Sequence, residues 1–280
     1  MPIPERTQVA FVLGGGGILG ATQVGMLRAL LESGQTPDLV LGTSVGALNG
    51  AILAGGPTLA VVDHLTTLWT SMSTSGVFAE SLFERARTLV KHGTHLHSPG
   101  PLRQLLERQL AVERIEDLPI PFQCVAASIE RAAAHWFTEG SIADAVLASC
   151  AVPGLLPPVR IDSETYIDGG IVDSVPVGRA VQLGATEVYV LHVGRIEQPL
   201  TAPRRPWEVG LVAFEIARRH RFVEAMANLP DGVKVHLLPS GSDSTPSVSL
   251  RYRSPSGVAD RIQRGYDATS AFLSGGASPQ

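Results

Sequence analysis

The chain has 280 residues, 44% hydrophobic and 17% charged, which excludes a disordered chain and leaves length enough for a large core. A formal net charge of −4 gives no global basic field, so nucleic acid is not expected as a partner. The two cysteines, Cys124 and Cys150, make no disulfide framework and read as reduced core thiols of a cytoplasmic protein.

Residues 1–13 lack the charged start and long apolar stretch of a signal peptide. Gln8 to Leu13 is a short apolar run ending at four glycines, and it predicts a buried first strand. Ile18 to Ser33 carries apolar residues at helical spacing, with Gly34 as a stop. Asp38 to Leu41 predicts a second strand, and Val45 to Ala54 the helix after it. The uncharged stretch Leu39 to Val62 has the length of a membrane span, but its glycines, proline and hydroxyls make it strand, turn and helix instead. Residues 58–111 read as mostly helical, broken near Ser73–Gly76 and His92–Gly100, and form a lid-like insertion. Motion is expected around residues 70–100, whose Phe78 and Phe83 would shield an apolar groove. Phe122 to Ile129 and His135 to Thr138 predict strands. Ser141 caps a helix to Cys150, with Asp144 at its third position. Tyr166 and Ile167 close a strand that runs into Asp168. Pro176 to Leu183, Trp207 to Asn228 and Val258 to Leu273 predict helices, Glu187 to Val193 and Val233 to Leu238 strands. Residues 196–206 and 239–256 read as loops, and Ser274 to Gln280 as a frayed tail. Strands alternating with helices predict an α/β fold, a mainly parallel sheet covered on both faces.

Three motifs carry chemistry. Gly15, Gly17 and Gly20 satisfy G-x-G-x-x-G between a strand and a helix. Such a loop can receive a dinucleotide pyrophosphate, or the negative oxygen of a tetrahedral intermediate. The dinucleotide use wants an acid at the end of the next strand. Here Asp38 precedes that strand, which runs into Gly42-Thr43-Ser44-Val45-Gly46. This second motif is G-x-S-x-G, the pattern of a strained turn that exposes a nucleophilic serine. A serine needs a base. His192 and His236 lie inside predicted strands and His220 in a basic helix, so each reads as a core or surface histidine. Asp168 ends a strand and is followed by Gly169 and Gly170; burial of its carboxyl would make it a base.

In that order, Gly15–Gly20, Gly42–Gly46 and Asp168–Gly170 resemble the patatin-like phospholipase family. Ala148 to Pro157 (ASCAVPGLLP) and Asp173-Ser174-Val175-Pro176 resemble its flanking segments, so the likeness covers about residues 8–193. The resemblance implies a three-layer α/β/α sandwich and a Ser44–Asp168 dyad without histidine. It implies an oxyanion hole from the N–H groups of Gly15, Gly16 and Gly17, lipid acyl esters as substrates, and no metal or organic cofactor. Residues 194–280 become a C-terminal extension packed on the same domain. Leu19 stands where the family usually carries a basic residue, which removes a positive charge near the oxyanion. The alternatives are a nucleotide-binding module using Gly15–Gly20 and a catalytically silent lipid-binding member. His92, His95 and His97 read as a loop, not a metal site, for want of a fourth ligand at suitable spacing. Arg204, Arg205, Arg218, Arg219, Arg221, Arg251 and Arg253 read as solvated faces, with transient contact at an anionic membrane surface as the functional alternative.

Overall fold

A computed structural model describes residues 8–74, 97–193, 199–241 and 257–275. The expected lid residues Phe78 and Phe83, together with His92, His95, Arg251 and Arg253, lie outside the described residues.

At the centre of the sheet is β1 (Val9–Leu13), flanked by β2 (Leu39–Thr43) and β7 (Glu187–Leu191). Outside β2 comes β3 (Phe122–Ser128), and outside β7 comes β8 (Lys234–Leu237). These strands are mutually parallel. β4 (Ala133–Phe137) and β6 (Glu164–Asp168) pair antiparallel to β3, and β5 (Val159–Ile161) pairs antiparallel to β6. The sheet is therefore mainly parallel, with an antiparallel margin. β5 is not legible in the sequence because three alternating residues beside a proline pair are too short a run to signal a strand.

The apolar run of β1 is buried on both faces, as a central parallel strand requires. Phe11 and Leu13 join a core with α1 (Ala21–Glu32), α2 (Val45–Ala54), α3 (Leu59–Thr74) and α5 (Ile142–Ser149). Helices α4 (Gly100–Gln109) and α8 (Val258–Ser274) close the same layer. Ala10 and Val12 face the opposite layer, made by α6 (Val177–Gln182) and α7 (Pro206–Ala227). The result is an α/β/α sandwich. α8 lies tightly on α1: a side chain at Gly25 would run into the Ile262 carbonyl, and one at Gly265 would stand 2.5 Å from the Thr22 carbonyl.

One detail of register positions the site. β4 occupies one edge of β3 along Cys124–Ser128. The other edge is shared: β2 pairs with Phe122–Val125 and ends at Thr43 opposite Val125, while β6 pairs with Ala126–Ser128 and ends at Asp168 opposite Ala126. β2 runs along β3 and β6 runs against it, so their C-terminal ends meet tip to tip. Ser44 follows the first tip and Asp168 is the second.

Candidate active site

Ser44 has φ 55° and ψ −125°, a conformation non-glycine residues rarely hold. Strain of this kind costs about 1–3 kcal/mol and persists only where surrounding contacts over-determine it. Here they do. The Ser44 N–H donates to Ser149 Oγ at 2.8 Å, and that hydroxyl donates onward to the Val125 carbonyl at 2.7 Å. Thr43 Oγ1 donates to the Asp173 carbonyl at 2.8 Å, tying the turn to the segment after Asp168. The Ser44 carbonyl accepts from the N–H groups of Ala47 and Leu48 at 2.8 and 3.3 Å, which starts α2. Gly42 and Gly46 are required by close approach: a Cβ at Gly46 would run into the Leu13 carbonyl, and one at Gly42 would stand 2.5 Å from the Gly46 carbonyl. With those positions bare, α2 sits flush on the sheet and its positive N-terminal end lies at Ser44.

Asp168 is 2% exposed and Ser44 7%. The Asp168 N–H donates to Ala151 at 2.9 Å, and Oδ1 accepts from the Gly170 N–H at 2.7 Å. Among the described residues, Oδ2 is buried without a hydrogen bond of good geometry. Burial pushes the carboxyl up to about 6, against the opposing pull of the Ser44 hydroxyl and the Gly170 N–H. A carboxyl of this kind beside a serine hydroxyl has the chemistry to accept that hydroxyl's proton near neutral pH. The neighbouring Asp173 is likewise raised to about 6 by burial, opposed by the Val175 N–H and the Arg221 charge. Gly169 is glycine because a Cβ there would run into the Val125 carbonyl.

No described histidine is among the groups that shift Asp168. His236 lies on β8 and contacts Glu187 at 2.9 Å. The His220 side chain is 77% exposed. His192 follows β7, buried and stacked on Phe222 with ring centroids 6.0 Å apart.

The glycine loop lies against Ser44: a Cβ at Gly15 would come 3.4 Å from Ser44 Cβ. The three expected donors are not equivalent. The Gly15 N–H already donates to the Ser174 carbonyl at 3.0 Å, so Gly16 and Gly17 are the loop's remaining donors. Gly17 holds φ 57°, which glycine adopts without steric penalty. Gly16 admits no side chain, since a Cβ would run into Val193, and at Gly20 it would stand 2.5 Å from Val45. Asp38, the acid considered for a ribose, accepts from the Val9 N–H at 3.0 Å, at the end of β1 remote from the loop.

Two groups of residues went unread in the sequence. Ser149 braces the serine turn, and Gln23, Asn49 and Trp69 form a buried polar chain beneath the glycine loop. The legible signal for Asn49 is an amide inside the otherwise apolar VGALNGAILA. One correction concerns the arginines: Arg218 is buried, forks onto Glu215 at 2.8 to 3.2 Å and reaches Ser174 Oγ at 3.4 Å, so it is not part of a solvated face. Among the described residues, no group of three or more His, Cys, Asp or Glu could hold a metal ion, and no helix is long and apolar enough to cross a membrane.

The chain is similar to several known proteins. The family described as patatin-like phospholipase matches residues 11–181. The mouse patatin-like phospholipase domain-containing protein 7 is 32% identical over 196 residues, 69% of this chain and 14% of the mouse protein. A lysophospholipase NTE1 of Phaeosphaeria nodorum is 30% identical over 190 residues, 68% of this chain and 12% of its own length. This chain thus spans a small part of the curated relatives it matches. A crystal structure of VipD from Legionella pneumophila aligns with a TM-score of 0.48 at 17% identity, over 97% of this chain and 67% of that one. The family match covers the serine turn, the aspartate box and the glycine loop together, and the chain belongs to the patatin-like phospholipase family.

Proposed function

We propose that this chain is a serine acyl hydrolase that cleaves lipid acyl esters through Ser44 and Asp168. The observation that carries the reading is the tip-to-tip meeting of β2 and β6, which brings a strained serine beside a buried carboxylate and a glycine loop. Ionised Asp168 accepts the Ser44 hydroxyl proton as Oγ attacks the acyl carbonyl carbon. The carbonyl oxygen becomes an oxyanion and receives the N–H groups of Gly16 and Gly17; Gly15 joins only by releasing Ser174. Collapse of the intermediate returns the proton from Asp168 to the leaving alcohol and leaves an acyl-Ser44 ester. Water, deprotonated by Asp168, attacks that ester, and Ser44 and a fatty acid are released. No metal or organic cofactor enters these steps. The lipid substrate follows from the family and from relatives named as phospholipase and lysophospholipase. Such substrates bring the enzyme into transient contact with a membrane surface from the cytoplasm.

The test is Ser44→Ala, expected to lower turnover of a short nitrophenyl ester on the order of 10⁶-fold with the fold intact. A fluorophosphonate should label the parent at Ser44 and leave the variant unlabelled. Retained hydrolysis in the clean variant overturns the assignment. Alanine at His192, His220 or His236 should leave activity in place; collapse in one folded variant would replace the dyad with a triad.

A further inference from the structure

Gln23 on α1, Asn49 on α2 and Trp69 on α3 are buried polar side chains that the dyad chemistry does not use. They form one continuous chain of hydrogen bonds. Trp69 Nε1–H donates to Asn49 Oδ1 at 2.9 Å. Asn49 Nδ2 donates to Gln23 Oε1 at 2.8 Å and to the Gly20 carbonyl at 3.0 Å. Gln23 Nε2 donates to the Gly14 carbonyl at 2.8 Å and to the Leu191 carbonyl at 3.0 Å. Every side-chain N–H of the three has an acceptor, and both amide oxygens accept. The pattern also dictates both amide orientations, because a flip of either would oppose donors to donors.

Of the three carbonyls on which the chain ends, those of Gly14 and Gly20 bracket the glycine loop. A peptide unit is planar, so holding the Gly14 carbonyl sets the direction of the Gly15 N–H, which meets Ser174. Holding the Gly20 carbonyl fixes where the loop enters α1. The Gly16 and Gly17 N–H groups lie in the short stretch of chain between these two held points. Asn49 stands on the helix that Ser44 caps, so its bond to the Gly20 carbonyl links that helix to the end of the glycine loop. Packing alone would be served by leucine or methionine here, since buried polar groups gain nothing unless fully paired.

We propose that Gln23, Asn49 and Trp69 are positioning residues that hold the glycine-loop N–H groups in place against Ser44, and so govern the acyl-transfer rate and not substrate affinity. This rests on the Ser44–Asp168 reading above. The experiment compares Gln23→Met, Asn49→Leu and Trp69→Phe with the parent, using kcat and KM on a short nitrophenyl ester, the rate of fluorophosphonate labelling, and Tm. Because misplacement of a catalytic group by about 1 Å costs about 100-fold, kcat should fall roughly 10- to 100-fold with KM within about threefold. Labelling should slow in parallel, since phosphonylation also builds charge in the loop. Gln23→Met and Asn49→Leu, which each remove three bonds, should lose most, and Trp69→Phe, which removes one, least. If the first two variants do not fold, Trp69→Phe, which keeps an aromatic ring while removing the N–H and part of the bulk, carries the test alone. Folded variants with normal turnover per labelled site, or with a raised KM at unchanged kcat, overturn the proposal. A parent that does not label at Ser44 overturns the dyad reading and this proposal with it, so the two failures are distinguishable.

Discussion

Replacing Asp168 with asparagine is expected to abolish turnover while removing a pH-dependent weakness of the fold. Burial raises the Asp168 carboxyl from 3.8 to about 6. In the unfolded chain the same group titrates near 4. Below that value both states hold the proton and the carboxyl has no effect on stability. Between about 4 and about 6 the folded chain keeps a proton that the unfolded chain has released, so stability falls as pH rises. Above about 6 the penalty is complete, and at about 1.4 kcal/mol per pKa unit it reaches about 3 kcal/mol. Asparagine carries no charge at any of these pH values. Its oxygen can still accept from Gly170, while its amide adds a buried donor whose cost, about 1–3 kcal/mol, does not vary with pH. The profile, not the absolute level, therefore carries the test. Asp173 contributes a similar slope, but in both proteins, and cancels in the difference. Thermal unfolding from pH 4 to pH 8 should show the variant gaining on the parent by on the order of 5 °C across that range. Parallel profiles would refute the claim that a buried carboxylate is held at this position.

The same carboxyl predicts the activity profile: kcat/KM should fall about tenfold per pH unit below about 6, as protonation removes the base. A limb centred near 4 would mean an unperturbed carboxylate. Ser149→Ala should destabilise the fold by about 1–3 kcal/mol, because it leaves the Ser44 N–H and Val125 carbonyl without their shared partner. It should also lower kcat more than it raises KM, as the serine turn relaxes; unchanged kcat at reduced Tm would limit Ser149 to stability. Gly169→Ala should displace Asp168 and eliminate activity, whereas Gly178→Ala on α6, where an added Cβ meets nothing within 4 Å, should leave activity intact and gain about 0.5–1 kcal/mol of stability. Equal activities in the two alanine variants would contradict the close packing read at Gly169.

The sequence by itself determined the local chemistry. Gly42 to Gly46 admits a tight turn because the positions two residues before and two residues after Ser44 carry no side chain, and that property is written in residue type. The apolar runs of β1, β2 and β7 announce strands buried on both faces, and the alternation with helices announces a parallel sheet. The order of the three motifs was enough for the family. What only the tertiary structure decided is how these pieces meet. Asp168 reaches Ser44 because β6 runs antiparallel and shares one edge of β3 with β2, a pairing between strands far apart in sequence that no local pattern encodes. The inequality of the loop donors likewise depends on Ser174, which lies far along the chain from Gly15. Ser149, Gln23, Asn49 and Trp69 stand in helical runs where periodicity speaks only of which face is apolar. A buried polar group's role is set by its partner, and the partner is known only once the chain has folded.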